Sequence, residues 1–457
     1  MVYRTSLRTT WHALSTKIRG HKSVHDVGFL TVTSLVATCL SFLQGILVAR
    51  WTGPELYGIA ALVMTYPGIM YAFFEVRSAE ATVKYLGEFH IRGERDRVLA
   101  VCMLGYMVDC AFATVSFLAV LATSSWAAKH LVQRPDAAGL IILYASALIP
   151  RALVGTSQAT LATLGKFRLM AGIEVVSTIV RVTLISALVI LGWKVTGIVL
   201  GNAIAATFMG LLYGTIASVV IRRTWGFVSL RSAWPTLHGH FRAILGFYLY
   251  SDFNVLLSML MKNIDIVLVG YFRHPTEVGY YKLAKSLAGA IGTLASPLQT
   301  VIYPKLLRLW VVGRVEDFQH MVYKLAVGSL LPLGSIVLLS VLLVPWLVFY
   351  LLGDAYIPAS LAIQLLLITT GLRLIGFWVK PFYLSTGQLS LWTLFSLIGA
   401  VVSVPVYASC TWLWGFQGLA AARIGITLVT DIMPGLKAVC WKKQYASIAA
   451  HDDHAMP

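Results

Sequence analysis

The chain has 457 residues, of which 58% are hydrophobic and only 12% are Asp, Glu, Lys or Arg, about half the charged fraction of a soluble domain. In water it would expose apolar surface that it has no means of covering, so a soluble globular protein is excluded and lipid is the solvent for most of its length. A net charge of +17 does not point to nucleic acid, because the basic residues sit between apolar runs and form no patch interleaved with aromatics.

In chain order, residues 1–26 are a basic segment carrying Arg4, Arg8, Lys17, Arg19 and Lys22, with no signal-peptide core. The apolar stretch that follows is long enough to be an uncleaved first span. A spanning helix needs about 20 mainly apolar residues. Twelve such stretches are predicted, at about 27–49, 58–80, 98–123, 139–160, 170–192, 197–221, 243–271, 279–301, 322–350, 358–379, 389–413 and 417–439. Tight turns with Gly, Pro or Trp separate several of them: Trp51-Thr52-Gly53-Pro54, Gly192-Trp193-Lys194 and Gly353-Asp354. The expected organisation is an all-α integral membrane bundle. It has an N-lobe of six spans (27–221), a basic cytoplasmic linker containing Pro235 (222–242), a C-lobe of six spans (243–440) and a tail (441–457). The five cysteines all fall inside apolar runs and read as small buried hydrophobes, not as disulfides.

The basic residues fix an orientation. One side of the predicted bundle carries 22 Lys and Arg and the other only Arg50, Lys129, Arg134, Lys194 and Arg273. By the positive-inside rule both ends are cytoplasmic, as an even number of spans requires. An internal repeat accompanies this. The turns before Gly58 and before Gly279 are alike and 221 residues apart, and Trp193 and Gly197 recur at the same offset as Trp414 and Gly418. Two six-helix repeats inserted in the same direction are a recurring transporter architecture, with substrate held near the membrane midplane.

The segments Gly53-Pro54-Glu55-Leu56-Tyr57-Gly58, Phe74 to Tyr85, Asn263 to Tyr271, Val278 to Ala284 and Tyr303-Pro304-Lys305-Leu306 resemble the oligosaccharide flippases. These are the Wzx-like polysaccharide-biosynthesis branch of the MOP superfamily, to which MATE exporters and the lipid II flippase are related. The resemblance runs from about residue 27 to 440. It implies a two-lobe bundle working by alternating access, and a cargo of undecaprenyl-diphosphate-linked oligosaccharide moved from the cytoplasmic to the periplasmic leaflet of the inner membrane for surface polysaccharide assembly. It also implies a lipid bilayer and other polysaccharide-assembly proteins as partners, and helices carrying Arg77, Lys282 and Lys285 along a central cavity.

Charges within spans are costly and face a bundle interior or a wet cavity. Arg77, Arg151, Arg181, Lys282, Lys285 and Arg373 are the candidates for binding a diphosphate, since a guanidinium matches phosphate oxygens through its planar fork. Arg151 and Arg373 each stand 14 residues before a glycine, Gly165 and Gly387, and so occupy matching places in the two repeats. A structural alternative pairs Arg151 with Asp109 or Glu174. Lys262 with Asp265, and Glu80 with Lys84, are close enough along one helix to form internal pairs, so they are assigned a structural role. The aromatics Tyr66, Tyr71, Phe73 and Phe74 are candidates for stacking on sugars, or anchors at the membrane interface. All eleven histidines lie in tails, connections or span edges, and there is no Walker-type loop. No enzyme, metal site or cofactor is therefore expected. Two other readings stay open: a cation-coupled small-molecule exporter of the MATE kind, which calls for an acidic cavity where these spans are net basic, and a non-transporting scaffold of a glycan-synthesis complex.

Overall fold

The computed structural model describes the backbone of residues 3–74, 78–226, 263–293 and 295–439, and side-chain surroundings from Thr33 onward. The described residues contain helices and no strand. In chain order these are α1 (Tyr3–Phe74), α2 (Ser78–Ile91), α3 (Arg95–His130), α4 (Ala138–Ser146), α5 (Leu148–Arg151), α6 (Leu153–Thr163), α7 (Phe167–Ile190) and α8 (Lys194–Trp225). Then come α9 (Asn263–Phe272), α10 (Pro275–Gly292), α11 (Ala295–Val311), α12 (Val315–Leu352), α13 (Ser360–Ile375), α14 (Val379–Ser385), α15 (Leu389–Thr427) and α16 (Met433–Val439). Helices are the expected solution in lipid, where every backbone N–H and C=O must find a partner inside its own segment.

Within the described residues, the spans predicted from hydropathy fall on these helices, several of them kinked or broken. α1 bends at Gly53 (φ 76°) and α15 at Gly415 (φ 67°), so each holds two spans in one continuous run. The fourth span is α4, α5 and α6 in series, interrupted around Pro150, whose ring removes a helix N–H. The tenth is a 3₁₀ turn, Asp354–Ala359, followed by α13 and α14 with a break at Gly376 to Trp378. Helices also outrun the apolar stretches. α3 reaches His130, where the hydropathy reading stops at 123, and the eighth span continues through α11 to Val311. Most of the linker, the seventh span before Asn263, the tail, Arg77, Lys262 and the side chain of Glu80 lie outside the described residues.

The turns carry the repeat further than the sequence signals did. Backbone with positive φ recurs at Gly93 and Gly313, Gln133 and Gly353, Gly165 and Gly387, and Gly192 and Gly415, each pair 220 to 223 residues apart. Gly93, Gly165, Gly192 and Gly313 close their helices in the same way. The glycine N–H bonds back three residues and the next N–H five, as in Lys166 N to Leu161 O at 2.8 Å and Arg314 N to Leu309 O at 3.1 Å. Such a helix end needs a left-handed residue, which only glycine adopts without a Cβ penalty.

The chain forms two compact units. The first comprises Met1–Gln44 and Val63–Leu260, and the second Gly45–Leu62 and Met261–Pro457. Within the first, α7 packs along α8, and α2 against α3 and α6. Within the second, α13 is central, packed by α10, α12 and α15. The bent stretch of α1 belongs to this second unit. There the Tyr356 hydroxyl donates to the Ala49 carbonyl at 3.1 Å, and Arg50 reaches the carbonyls of Tyr350 and Leu351 at 3.4 Å.

Candidate functional site

Each unit holds a polar cavity of its own. In the second unit a cavity of about 520 Å³ is bounded by α10, α11, α13, α14, α15 and the turn that follows α15. α10 offers it Ala288, Gly289 and Gly292, small residues that leave room, while Lys285, Arg373, Lys380 and Arg423 point basic groups into it. Gln299, Thr369 and Thr370 add neutral polar atoms, and Trp392 forms part of the wall.

Two of the four cations are fixed from behind by a buried carboxylate. Asp265 on α9 is fully buried. One of its oxygens accepts from Lys285 Nζ at 2.9 Å and from the Ile266 backbone N–H at 2.8 Å. The other accepts from Arg423 at 2.6 Å and from the Tyr281 hydroxyl at 2.9 Å. Four donors on two oxygens satisfy the carboxylate, which is what makes a buried charge tolerable. The expected partner within the helix, Lys262, lies outside the described residues. Among the described residues its bound cations come from the eighth and twelfth spans, 20 and 158 residues further along the chain. Those two reach it from across the helix packing and take both oxygens.

Arg373 is held loosely. Its Nε lies 3.4 Å from Asp431, and its side chain is 56% exposed, so water screens the pair. Asp431 sits in a turn of π-helix, Leu428–Ile432, between α15 and α16. Single π turns inside helices occur frequently at functional sites, because the extra residue re-aims a side chain. Among the described residues, the four cations outweigh Asp265 and Asp431 by two positive charges.

The first unit holds a cavity of about 630 Å³ bounded by α1, α4, α5, α7 and α8. Arg151, Glu174 and Arg181 line it, with the hydroxyls of Ser34, Thr38, Ser41, Tyr144, Ser177 and Thr178 and the amide of Asn202. Arg151 is the last residue of α5, at the break after Pro150. Gly210 of α8 packs on that break so tightly that an added Cβ would stand 2.0 Å from the Pro150 carbonyl oxygen. Arg181 donates to the Ser41 hydroxyl. Asp109 lies elsewhere in this unit. Its carboxylate accepts from the Thr156 hydroxyl at 2.7 Å and the Thr156 N–H at 3.3 Å, in the first turn of α6 after the break.

Of the predicted phosphate ligands, the structure brings Lys285 and Arg373 together in the second unit's cavity, and Arg151 and Arg181 together in the first's. Lys282 lies on α10 but does not line the described cavity wall, and Lys84 is an exposed residue beside the Tyr85 ring. Sequence reasoning missed Lys380, Arg423 and Asp431 as cavity residues. The available signal was their charge at or within apolar spans. Tyr66 is buried, with its hydroxyl donating to Thr123 at 2.6 Å, whereas Phe73 is exposed.

A family model described as "polysaccharide biosynthesis protein" matches residues 23–310, well over half of the chain. No curated protein sequence matches significantly. Among solved structures, an inward-facing multidrug resistance MATE family transporter of the MOP superfamily is similar at a TM-score of 0.70 and 14% identity, over 93% of this chain and 99% of that one. The lipid II flippase MurJ in an inward closed conformation is similar at a TM-score of 0.68 and 13% identity, over 93% and 92%. An outward-facing MATE family transporter gives 0.60 and 15%, over 93% and 96%. At such identities these likenesses speak to the fold, which is the all-helical fold of the MOP superfamily.

Proposed function

The chain belongs to the polysaccharide biosynthesis protein family, and from that premise we propose that it flips a lipid-linked oligosaccharide. The cargo is carried on a polyprenyl diphosphate and moved from the cytoplasmic to the periplasmic leaflet of the inner membrane. The chain's two ends are cytoplasmic, and it works by alternating access without modifying its cargo.

The observation that carries this reading is the second unit's cavity, with Lys285, Arg373, Lys380 and Arg423 around a surplus of two positive charges among the described residues. A diphosphate diester presents two negative charges, and their desolvation is the main obstacle to crossing hydrocarbon. Fixed guanidinium and ammonium groups replace the lost hydration with charge-assisted hydrogen bonds. Asp265 holds Lys285 and Arg423 as the permanent wall, while the exposed Arg373 and Lys380 are the groups able to follow the cargo. An exporter of cationic drugs calls for the opposite sign of cavity, which disfavours the MATE-like alternative.

Deleting the gene tests the reading. The lipid-linked intermediate should persist at full length and accumulate on the cytoplasmic leaflet, with surface polymer reduced. A missing or shortened intermediate would point instead to a synthetic enzyme, and an unchanged leaflet distribution to a scaffold.

A further inference from the structure

The first unit's cavity differs in chemistry from the second's. Two of its hydroxyls and its amide are committed as donors to their own helix. Thr38 bonds the Ser34 carbonyl at 2.8 Å and Ser41 the Ala37 carbonyl at 2.6 Å, and the Asn202 amide nitrogen bonds Ile198 O at 2.8 Å. What remains on these groups is acceptor capacity: the Thr38 lone pairs, the one Ser41 lone pair not taken by Arg181, and the Asn202 carbonyl oxygen, joined by the Glu174 carboxylate. Such a set suits a ligand rich in hydroxyl donors.

Beside it stand donors without a partner. Ser177 is 94% buried and lines the cavity, yet its hydroxyl oxygen has no hydrogen-bond partner among the described residues, and neither has the buried Nε of Arg181. The two residues are four apart on α7 and so share one face of that helix. A buried donor left unmade is costly, and two on one face, beside Arg151, describe a place for an oxyanion. Arg151 and Arg181 against Glu174 leave a surplus of one positive charge, enough for a single carboxylate.

We propose that this cavity is a sugar-binding site for a hexuronic acid or a similar monoanionic sugar, its carboxylate taken by Arg181 and Ser177 and its hydroxyls by Thr38, Ser41, Asn202 and Glu174. The proposal rests on the reading that the cargo carries a glycan, and narrows it to a glycan with an acidic residue.

The test is equilibrium binding to the purified full-length protein in nanodiscs, with methyl glucuronide, methyl glucoside and inorganic pyrophosphate as probes. Methyl glucuronide should bind at least about ten-fold more tightly than methyl glucoside, the scale of one hydrogen bond to a charged group. Arg181→Gln should abolish that preference, and Ser177→Ala should weaken it while leaving pyrophosphate binding unchanged. Ser177→Ala removes only a hydroxyl and carries the test if Arg181→Gln lowers the folded yield. Equal binding of the two glycosides, or a preference that Ser177→Ala leaves undiminished, would overturn the acidic-sugar site. Loss of pyrophosphate binding alone, in the wild-type protein, would count against the diphosphate reading and leave the sugar site standing.

Discussion

Gly58 and Gly279, which correspond in the internal repeat, are pressed against each other's helix in reciprocal fashion. A Cβ on Gly58 would stand 1.8 Å from the Pro275 carbonyl oxygen, and one on Gly279 would stand 1.9 Å from that of Pro54. Pro54 and Pro275 are themselves equivalent in the repeat. The two glycines therefore mark a local twofold in which each helix start rests on the other's first turn, the close backbone approach that small residues allow between membrane helices.

Gly58→Ala and Gly279→Ala are each expected to destabilise the protein, by about 1–3 kcal/mol if the helices separate to admit the methyl group. Thermal unfolding in detergent measures this. Gly334→Ala in α12 is the control, because nothing lies within 4 Å of its Cβ position. It should be neutral or stabilising, since alanine favours helix by about 1 kcal/mol over glycine. Equal effects at all three positions would remove the close crossing as the cause.

Asp265→Asn should be among the most damaging isosteric changes in the second unit. It strips the shared counter-charge from Lys285 and Arg423, and unmatched buried charges of this kind cost about 3–5 kcal/mol. The amount of folded protein recovered from membranes should drop sharply. Adding Lys285→Met should restore part of it, because one buried cation no longer needs a partner. No rescue by the second change would mean that Asp265 acts through something other than this ion cluster.

The sequence disclosed the fold more fully than the site. Gly192, Gly353 and the Trp51-Thr52-Gly53-Pro54 turn announced helix ends because a positive-φ glycine and a Pro are local requirements, legible without knowing the neighbours. The break at Pro150 inside the fourth span was equally local, but hydropathy alone does not register it. α3 continued past its apolar run because helix hydrogen bonding does not stop where hydrophobicity does. The cluster on Asp265 was illegible for a different reason. Lys262 is near in sequence, whereas Arg423 reaches Asp265 only after α9, α10 and α15 have packed. Lys380 was passed over because the tenth span was drawn to end one residue before it.

Orientation can be read with single cysteines in a background lacking the native five. Cysteines replacing Arg92 or Arg314, in the turns after α2 and α11, should resist a membrane-impermeant thiol reagent in intact cells. Cysteines replacing Lys129 or Asp354 should react. Labelling of the first pair from outside would reverse the topology derived from the distribution of Lys and Arg.

The most direct measurement of the central claim is flipping in proteoliposomes. Purified protein would be reconstituted with a fluorescent oligosaccharide on undecaprenyl diphosphate, and a membrane-impermeant quencher would report the outer leaflet. Wild-type protein should bring nearly all of the label within reach of the quencher, where protein-free vesicles leave about half of it protected. The double variant Arg373→Gln, Lys380→Gln should slow this at least about ten-fold with the folded yield preserved, since both side chains are exposed at the cavity and each offers a charge-assisted contact. Arg373→Lys should be intermediate, keeping the charge and losing the fork. Wild-type vesicles that behave like protein-free ones, or a double variant that flips at the wild-type rate, would contradict the account.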